Sequence, residues 1–529
     1  MNLTVLLDRP LQRLAGGSRT GVREGAFAWA RALPLICAAG ALLLHLFGNA
    51  HYGFFRDELY FIVCGRRPAF GYVDQPSLVP LLAAFSQLGG ISLFALRAVP
   101  AVFAALATYV ACVLALEFGG GAFAVLVAGL VTIVAPEMLA FGARLSPDTV
   151  QMLIWPLMAL VAYRIVRGAD ARLWMVFALL VAVGAWAKYS VAFFAVSLIA
   201  GIAFTRERHV LRSPWFAAGA ALSVLLVAPN VFWQWHYGFP MLQLLHNDYD
   251  KFMLKWPPFP IQQIMVMSPL LSIVWIAGLW WVLKHPQMRF LGLAYIVLIG
   301  MMWTLDAKAY YPAAVYPVLI AAGAVPIEDW TGVRKRWRTA MLVLITAFAV
   351  PSIPFVLPVV PLPTYLKYQV ALGNLFHIKF HIDNGGNGIP IQYYGDMTGW
   401  PQLESQVAQA YDGLSPAERA HAAIYAHNFG EASAIDLYGR ADRLPPALSG
   451  NNNYWIWGTH GASGQVVIDV NGPELLRNYR TVTRAGTFHN PTGMPYENDF
   501  PIWILRSPKA PLASIWPSLK NYSYAFGGM

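Results

Sequence analysis

The sequence predicts a polytopic α-helical membrane protein of about eleven transmembrane helices, with interfacial helices in the first outside loop and a C-terminal extracytoplasmic α/β domain. Three observations carry that expectation. Of 529 residues, 57% are hydrophobic and only 12% charged, where an average soluble domain has about 25% charged. Uncharged windows such as 32–50, 98–116, 214–233 and 263–283 recur through the first two thirds of the chain, each near the ~20 residues that cross a bilayer core. Charge also divides the chain, with 26 Lys/Arg and 15 Asp/Glu in 1–358 against 11 and 12 in 359–529. The basic excess therefore belongs to membrane loops and does not call for nucleic acid.

Taken in order, the apolar runs between polar breaks are 32–50, 98–117, 121–136, 149–166, 173–187, 189–204, 214–233, 263–283, 290–305, 311–327 and 339–358. Arg9, Arg13, Arg19, Arg23 and Arg31 precede the first run, with no small-residue cleavage site after it, the pattern of an uncleaved anchor rather than a signal peptide. With the N-terminus inside, 17 Lys/Arg fall in inside segments and 9 in outside loops, as the positive-inside bias requires. An odd number of spans then exports the last third. Lys188 splits 173–204, and two helices rather than one keep the Arg206, Arg208 and Arg212 cluster inside. The expected division is a transmembrane catalytic domain over 1–358 and a periplasmic soluble domain over 359–529.

Between the first two spans, 55–64 and 77–88 read as short interfacial helices separated by the Gly71/Pro76 break. A second outside loop, 235–262, carries His236, His246, Asp248, Asp250 and Lys255. Pro351, Pro354, Pro358, Pro361 and Pro363 stiffen the exit to the last third. There, 415–426 reads as a capped helix overlapping a strand over 422–426, 465–470 as a strand, and 451–458 as an aromatic loop. Only Cys37, Cys64 and Cys112 occur, none of them in this region, so a disulfide framework is not expected.

Acids are scarce in the first two thirds, which draws attention to those at outside span ends: Asp57, Glu58, Asp74, Glu137, Asp148, Asp248, Asp250 and Asp306. Asp57 and Glu58 open the first interfacial helix. A carboxylate at the water boundary under apolar walls suits general-base work, and the same residues suit helix capping. Asp148 follows Ser146-Pro147, which is equally a helix start signal. Lys188 and Lys308 are cations at the outer interface, where each asks for a carboxylate or an anionic ligand such as phosphate, unless it snorkels to headgroups. No metal-binding spacing is present, and neither residue types nor spacing demand a cofactor, although a divalent cation beside a phosphate stays open. The glycine-rich turn at 384–388 lacks the Lys-Ser/Thr of a nucleotide loop.

The set Phe-Phe-Arg-Asp57-Glu58-Leu-Tyr, Gly71-Tyr-Val-Asp74-Gln-Pro, Ser-Pro-Asp148-Thr, Ala-Lys188-Tyr and Lys308-Ala-Tyr310-Tyr311-Pro resembles the bacterial membrane glycosyltransferases of the protein O-mannosyltransferase and aminoarabinose transferase type, within the glycosyltransferase C superfamily. The resemblance covers roughly the first 330 residues. It implies an inverting transfer of a sugar from a polyprenyl-phosphate donor to a lipid, glycan or protein acceptor on the outer face of the plasma membrane. Asp57 matches the catalytic acidic position of the first loop and Asp148 the second acidic position, with Glu58 and Asp74 as supports. Charge places Lys188 and Lys308 at the donor phosphate, with Tyr310 and Tyr311 as substrate contacts. Asn428-Phe-Gly-Glu431 and Gly450-Asn-Asn-Asn-Tyr454-Trp455 resemble motifs of related transferases without an assigned role. The alternative is a flippase or transporter of lipid-linked or polar substrates, which would place ionisable residues near the bilayer midplane and show paired helix halves.

Overall fold

A computed structural model of the chain describes residues 22–248, 257–332, 334–376 and 391–524. Arg9, Arg13, Arg19, Asp250, Lys255 and the turn at 384–388 lie outside the described residues. The fold is mostly helical, and each of the eleven apolar runs contains a helix. Among the described residues, five helices are long and apolar enough to cross a membrane, or seven if each of two bent pairs counts as one span. Shorter apolar helices occupy Ala32–Gly48, Leu173–Ala187, Ser190–Ala203 and Arg289–Thr304.

The two bends refine the expected elements. Ala122–Val134 gives way to Pro136–Ala143 at 62°, because Pro136 has no N–H to continue the ladder and clashes with the preceding turn. Phe259–Val266 meets Pro269–Lys284 at 116°, with Ser268 in the left-handed region at φ 71°. Leu173–Ala187 and Ser190–Ala203 are separate helices, and Lys188 between them is extended (φ −159°, ψ 132°). Pro351 and Pro354, expected in an exit hinge, lie inside the helix Lys335–Val356.

The chain forms two compact units. The first comprises Met1–Ala50, Phe94–Pro229 and Met253–Val359. Its helices pair as Pro147–Val166 with Leu173–Ala187, Ser190–Ala203 with Arg289–Thr304, and Pro269–Lys284 with Tyr316–Gly332. Glycines permit the last of these contacts: a Cβ on Gly278 would collide with the Leu319 carbonyl and one on Gly323 with the Val274 carbonyl. Such backbone-to-backbone approach is how membrane helices gain packing energy where burial from water supplies none.

The second unit comprises His51–Leu93, Asn230–Phe252 and Val360–Met529. The two expected interfacial helices are Arg56–Gly65 and Leu78–Ser86, and an antiparallel bridge joins Gly71 to Pro76 between them. The loop expected over 235–262 also contains a helix, Pro240–Asn247. Farther along, a five-stranded sheet has the order β2-β1-β3-β5-β4. Here β1 is Ala422–Ala426, β2 Ala447–Leu448, β3 Val466–Val470, β4 Tyr479–Phe488 and β5 Phe500–Pro508. The first three are parallel, with Ile424 opposite Ile468; β5 is antiparallel to β3 and β4. Tyr425, Val467, Leu505, Leu512 and Trp516 form the core on one face. The overlap over 415–426 resolves toward the strand. Helix survives only over Pro416–Arg419, started by the Ser415/Glu418 capping box, while 422–426 gains more by burial between two strands. Asn453–Trp457 is a short helix where an aromatic loop was expected.

Candidate functional site

In the first unit, Asp148 sits in the first turn of Pro147–Val166, whose N-cap Ser146 accepts the Thr149 N–H. Capping is thus the work of Ser146, and the Asp148 carboxylate is left for another partner. That partner is Lys188, whose Nζ donates to both Asp148 oxygens at 2.8 Å. The pair is largely removed from water, with Asp148 7% exposed. The same ammonium lies 4.1 Å from the Tyr311 ring centre and 5.4 Å from that of Tyr310, close enough for cation–π attraction. The two tyrosine rings meet edge to face at 5.0 Å. Burial, then Tyr311 and Asp148, push the Tyr310 phenol well above its usual range, so it is a hydroxyl donor at neutral pH. Lys308 lies in the same turn, its carbonyl accepting the Tyr311 N–H at 3.0 Å.

Gln151, which the sequence reading passed over, braces this arrangement. It lies one turn after Asp148 and donates to the Gly184 and Lys188 carbonyls at 2.8 and 3.4 Å, and its oxygen accepts Trp155 Nε1 at 2.8 Å. An i, i+3 spacing from a candidate acid was the available signal. Glu137, read only as an outside acid, stands within electrostatic reach of Asp148, Arg144 and Lys188.

In the second unit, the helix Arg56–Gly65 begins with the acidic pair. Glu58 is fully buried and accepts the Phe55 N–H at 2.9 Å, which is the capping role rather than a direct chemical one. Asp57 points elsewhere: 37% of its side chain is exposed, and its inner oxygen Oδ1 is buried without a hydrogen-bond partner among the described residues. Arg56 Nε lies 3.8 Å from that oxygen. The Arg56 guanidinium is buried, 3.7 Å from Asp396 and 3.3 Å from the Tyr496 hydroxyl. Burial alone would favour losing its proton, but Asp396, Tyr496 and Asp57 hold the charge firmly in place. Nothing in the local sequence marks Asp396, some 340 residues away, as the counter-ion.

Asp74 belongs to this second group. Its carboxyl accepts the Tyr524 hydroxyl at 3.0 Å, and burial, against that bond and with the nearby Asp57, raises its pKa to about 7. The two motifs of unassigned role organise its surroundings. Asn453 accepts the Val73 N–H at 2.6 Å and donates its own N–H to Tyr60. Asn451 accepts the Phe429 N–H, while Asn428 caps the helix Phe429–Tyr438 through Gly430 and Glu431, and that helix packs on Arg56–Gly65. Among the described residues, no group of three or more His, Cys, Asp or Glu is placed to hold a metal ion.

Residues 74–233 match the family model described as dolichyl-phosphate-mannose-protein mannosyltransferase, a stretch that contains Asp74, Asp148 and Lys188. Among solved structures, ArnT from Cupriavidus metallidurans bound to undecaprenyl phosphate superposes with a TM-score of 0.57 at 12% identity, covering 89% of this chain and 97% of that one. The apo state of the same protein gives a TM-score of 0.53 at 12% identity, covering 91% and 98%. Identity this low establishes shared fold. No curated protein sequence matches the chain. The family-model match over 74–233 and the fold shared with ArnT both agree with the resemblance carried by the sequence motifs.

Proposed function

We propose that the protein transfers a sugar from a polyprenyl-phosphate donor to a lipid, glycan or protein acceptor on the outer face of the plasma membrane, with inversion. The observation that carries this reading is Asp57: a carboxylate at a helix start, with one oxygen accepting no hydrogen bond among the described residues and a fixed cation beside it. In the reaction, the acceptor hydroxyl oxygen bonds to the anomeric carbon while the bond from that carbon to the phosphate oxygen breaks. The acceptor proton passes to Asp57, and the electron pair leaves with the polyprenyl phosphate. Displacement from the opposite side inverts the centre. Lys188 and Lys308 neutralise the departing phosphate, with Tyr310 and Tyr311 supplying hydroxyl and aromatic contacts. Asp148 orients the sugar or acceptor and holds the Lys188 ammonium. Asp74 supports Asp57, and Glu58 keeps the Asp57 helix start in shape.

In this reading 1–358 is the catalytic membrane domain, the N-terminus is cytoplasmic and 359–529 is periplasmic. The bends at 135–136 and 267–268 meet one expectation of a transporter, paired helix halves. Only the first has an ionisable residue beside it, Glu137, which favours transfer. The test is purified protein with a panel of polyprenyl-phosphate sugars, comparing wild type with Asp57→Asn. Loss of the base is expected to slow transfer about 10²- to 10⁴-fold; an undiminished rate removes Asp57 from the chemistry.

A further inference from the structure

The segment Asn521–Tyr524 of the second unit runs beside Asp74. Tyr522 is buried with Val73 and Leu244, which anchors the segment next to Asp74 in sequence and space. Polar groups fix its backbone from both sides. Asn451 donates to the Asn521 and Ser523 carbonyls at 2.9 and 3.1 Å, and Asn521 donates to the Gly450 carbonyl at 2.8 Å. Asn247 donates to the Tyr522 carbonyl at 2.8 Å. The Asp248 carboxylate accepts the Ser523 hydroxyl at 2.5 Å and the Tyr524 N–H at 2.8 Å. The Tyr524 ring packs edge-on against Phe429. Within this clamped segment the Tyr524 hydroxyl donates to the Asp74 carboxylate at 3.0 Å.

We propose that Tyr524 is a positioning residue: the clamped segment Asn521–Tyr524 holds its hydroxyl on Asp74 and favours the ionised form of that carboxylate beside Asp57. The inference rests on the reading of Asp57 as the base. Its physical content is that a negative neighbour strengthens a carboxylate as a proton acceptor, and a hydrogen bond donated to an ionised carboxylate preserves the charge. The groups facing Asp74 are Asp57, Tyr60 and Cys64 on the helix Arg56–Gly65, and Tyr524. Of the nearby cations, Arg56 stands beside Asp57 and Asp396, and Arg67 beside Asp436. Without Tyr524, desolvation and the like charge of Asp57 act on Asp74 unopposed by this bond. Asp248 and the Asn451–Asn453 motif, which the transfer chemistry leaves idle, thereby acquire a role.

The test is a difference-infrared titration of carboxyl protonation in the full-length protein, with Asp74→Asn marking the Asp74 band. Tyr524→Phe keeps the ring and removes the hydroxyl. It is expected to move the Asp74 midpoint from about 7 upward by roughly one pH unit, and to carry the acidic limb of the transfer-rate profile with it. Asp248→Ala, which loosens the segment without touching Asp74, should shift the midpoint in the same direction. An unmoved midpoint in both variants overturns the proposal, as does a loss of activity that is uniform across pH. Should the midpoint shift while wild-type protein transfers no sugar from any polyprenyl-phosphate donor, the hydrogen bond's control of Asp74 stands and the reading of Asp57 as a base falls.

Discussion

Lys188 illustrates how a single side chain acquires meaning from its partners. An ammonium at a membrane boundary has several ways to be satisfied, and here it is held by both oxygens of Asp148 and the faces of two tyrosines. Breaking a buried pair by removing one member strands the other charge, at a cost of about 3–5 kcal/mol. Lys188→Ala should therefore weaken both the fold around Asp148 and the grip on a donor phosphate. Lys308→Ala, outside that ion pair, should also weaken donor binding. Titration of polyprenyl phosphate against each variant, paired with thermal unfolding, checks both outcomes; unchanged donor affinity in the two variants would reject the phosphate assignment. The candidate residues themselves were legible because each is an ionisable group in an apolar stretch. Which of them pair was not: no local property of Asp148 distinguishes Lys188 from Lys308 as its partner.

Among the elements, the close helix pair Pro269–Lys284 and Tyr316–Gly332 shows what two glycines do. The contact leaves no room for a Cβ at Gly278 or Gly323, so Gly278→Val must push the helices apart or distort them. Overpacking of this kind costs about 1–3 kcal/mol, which a lower unfolding temperature of the detergent-solubilised protein would report. An unchanged value would mean that the helices separate freely. The apolar runs announced these helices well, but the bend at 135–136 was not read from Pro136. The second bend, at Ser268, and the split of 415–426 into a short helix and a strand were harder to read. In both, a local helical preference yields to neighbours that the sequence does not place: the 422–426 strand exists because β2 and β3 flank it.

The second unit as a body carries more buried acid than buried base. Asp396, Glu431, Asp469 and Glu497 are nearly or fully buried, and in each case burial raises the carboxyl pKa. Asp74, raised to about 7, adds to them. The sign follows directly: the folded state retains protons that the unfolded chain has already lost above about pH 4, so stability declines as pH rises through the interval up to the folded values. The unit should unfold at a lower temperature at pH 9 than at pH 6. Glu431→Gln, which keeps the size of the side chain and removes the charge, should flatten that dependence. Melting curves across this range decide the matter, and a steeper dependence in the variant would contradict it.

Composition and periodicity alone determined that the chain is a helical membrane protein, where its apolar segments lie and which ionised residues are unusual enough to carry chemistry. These are local properties, since hydropathy over twenty residues and a capping signal over four are complete within their own windows. Only the tertiary structure decided that Asp148 holds Lys188, that Glu58 is a cap while Asp57 is not, and that Tyr524 reaches Asp74 across 450 residues of chain. Such pairings depend on which distant segments the packing brings together, and the energy that selects them is spread over many contacts rather than written at either end.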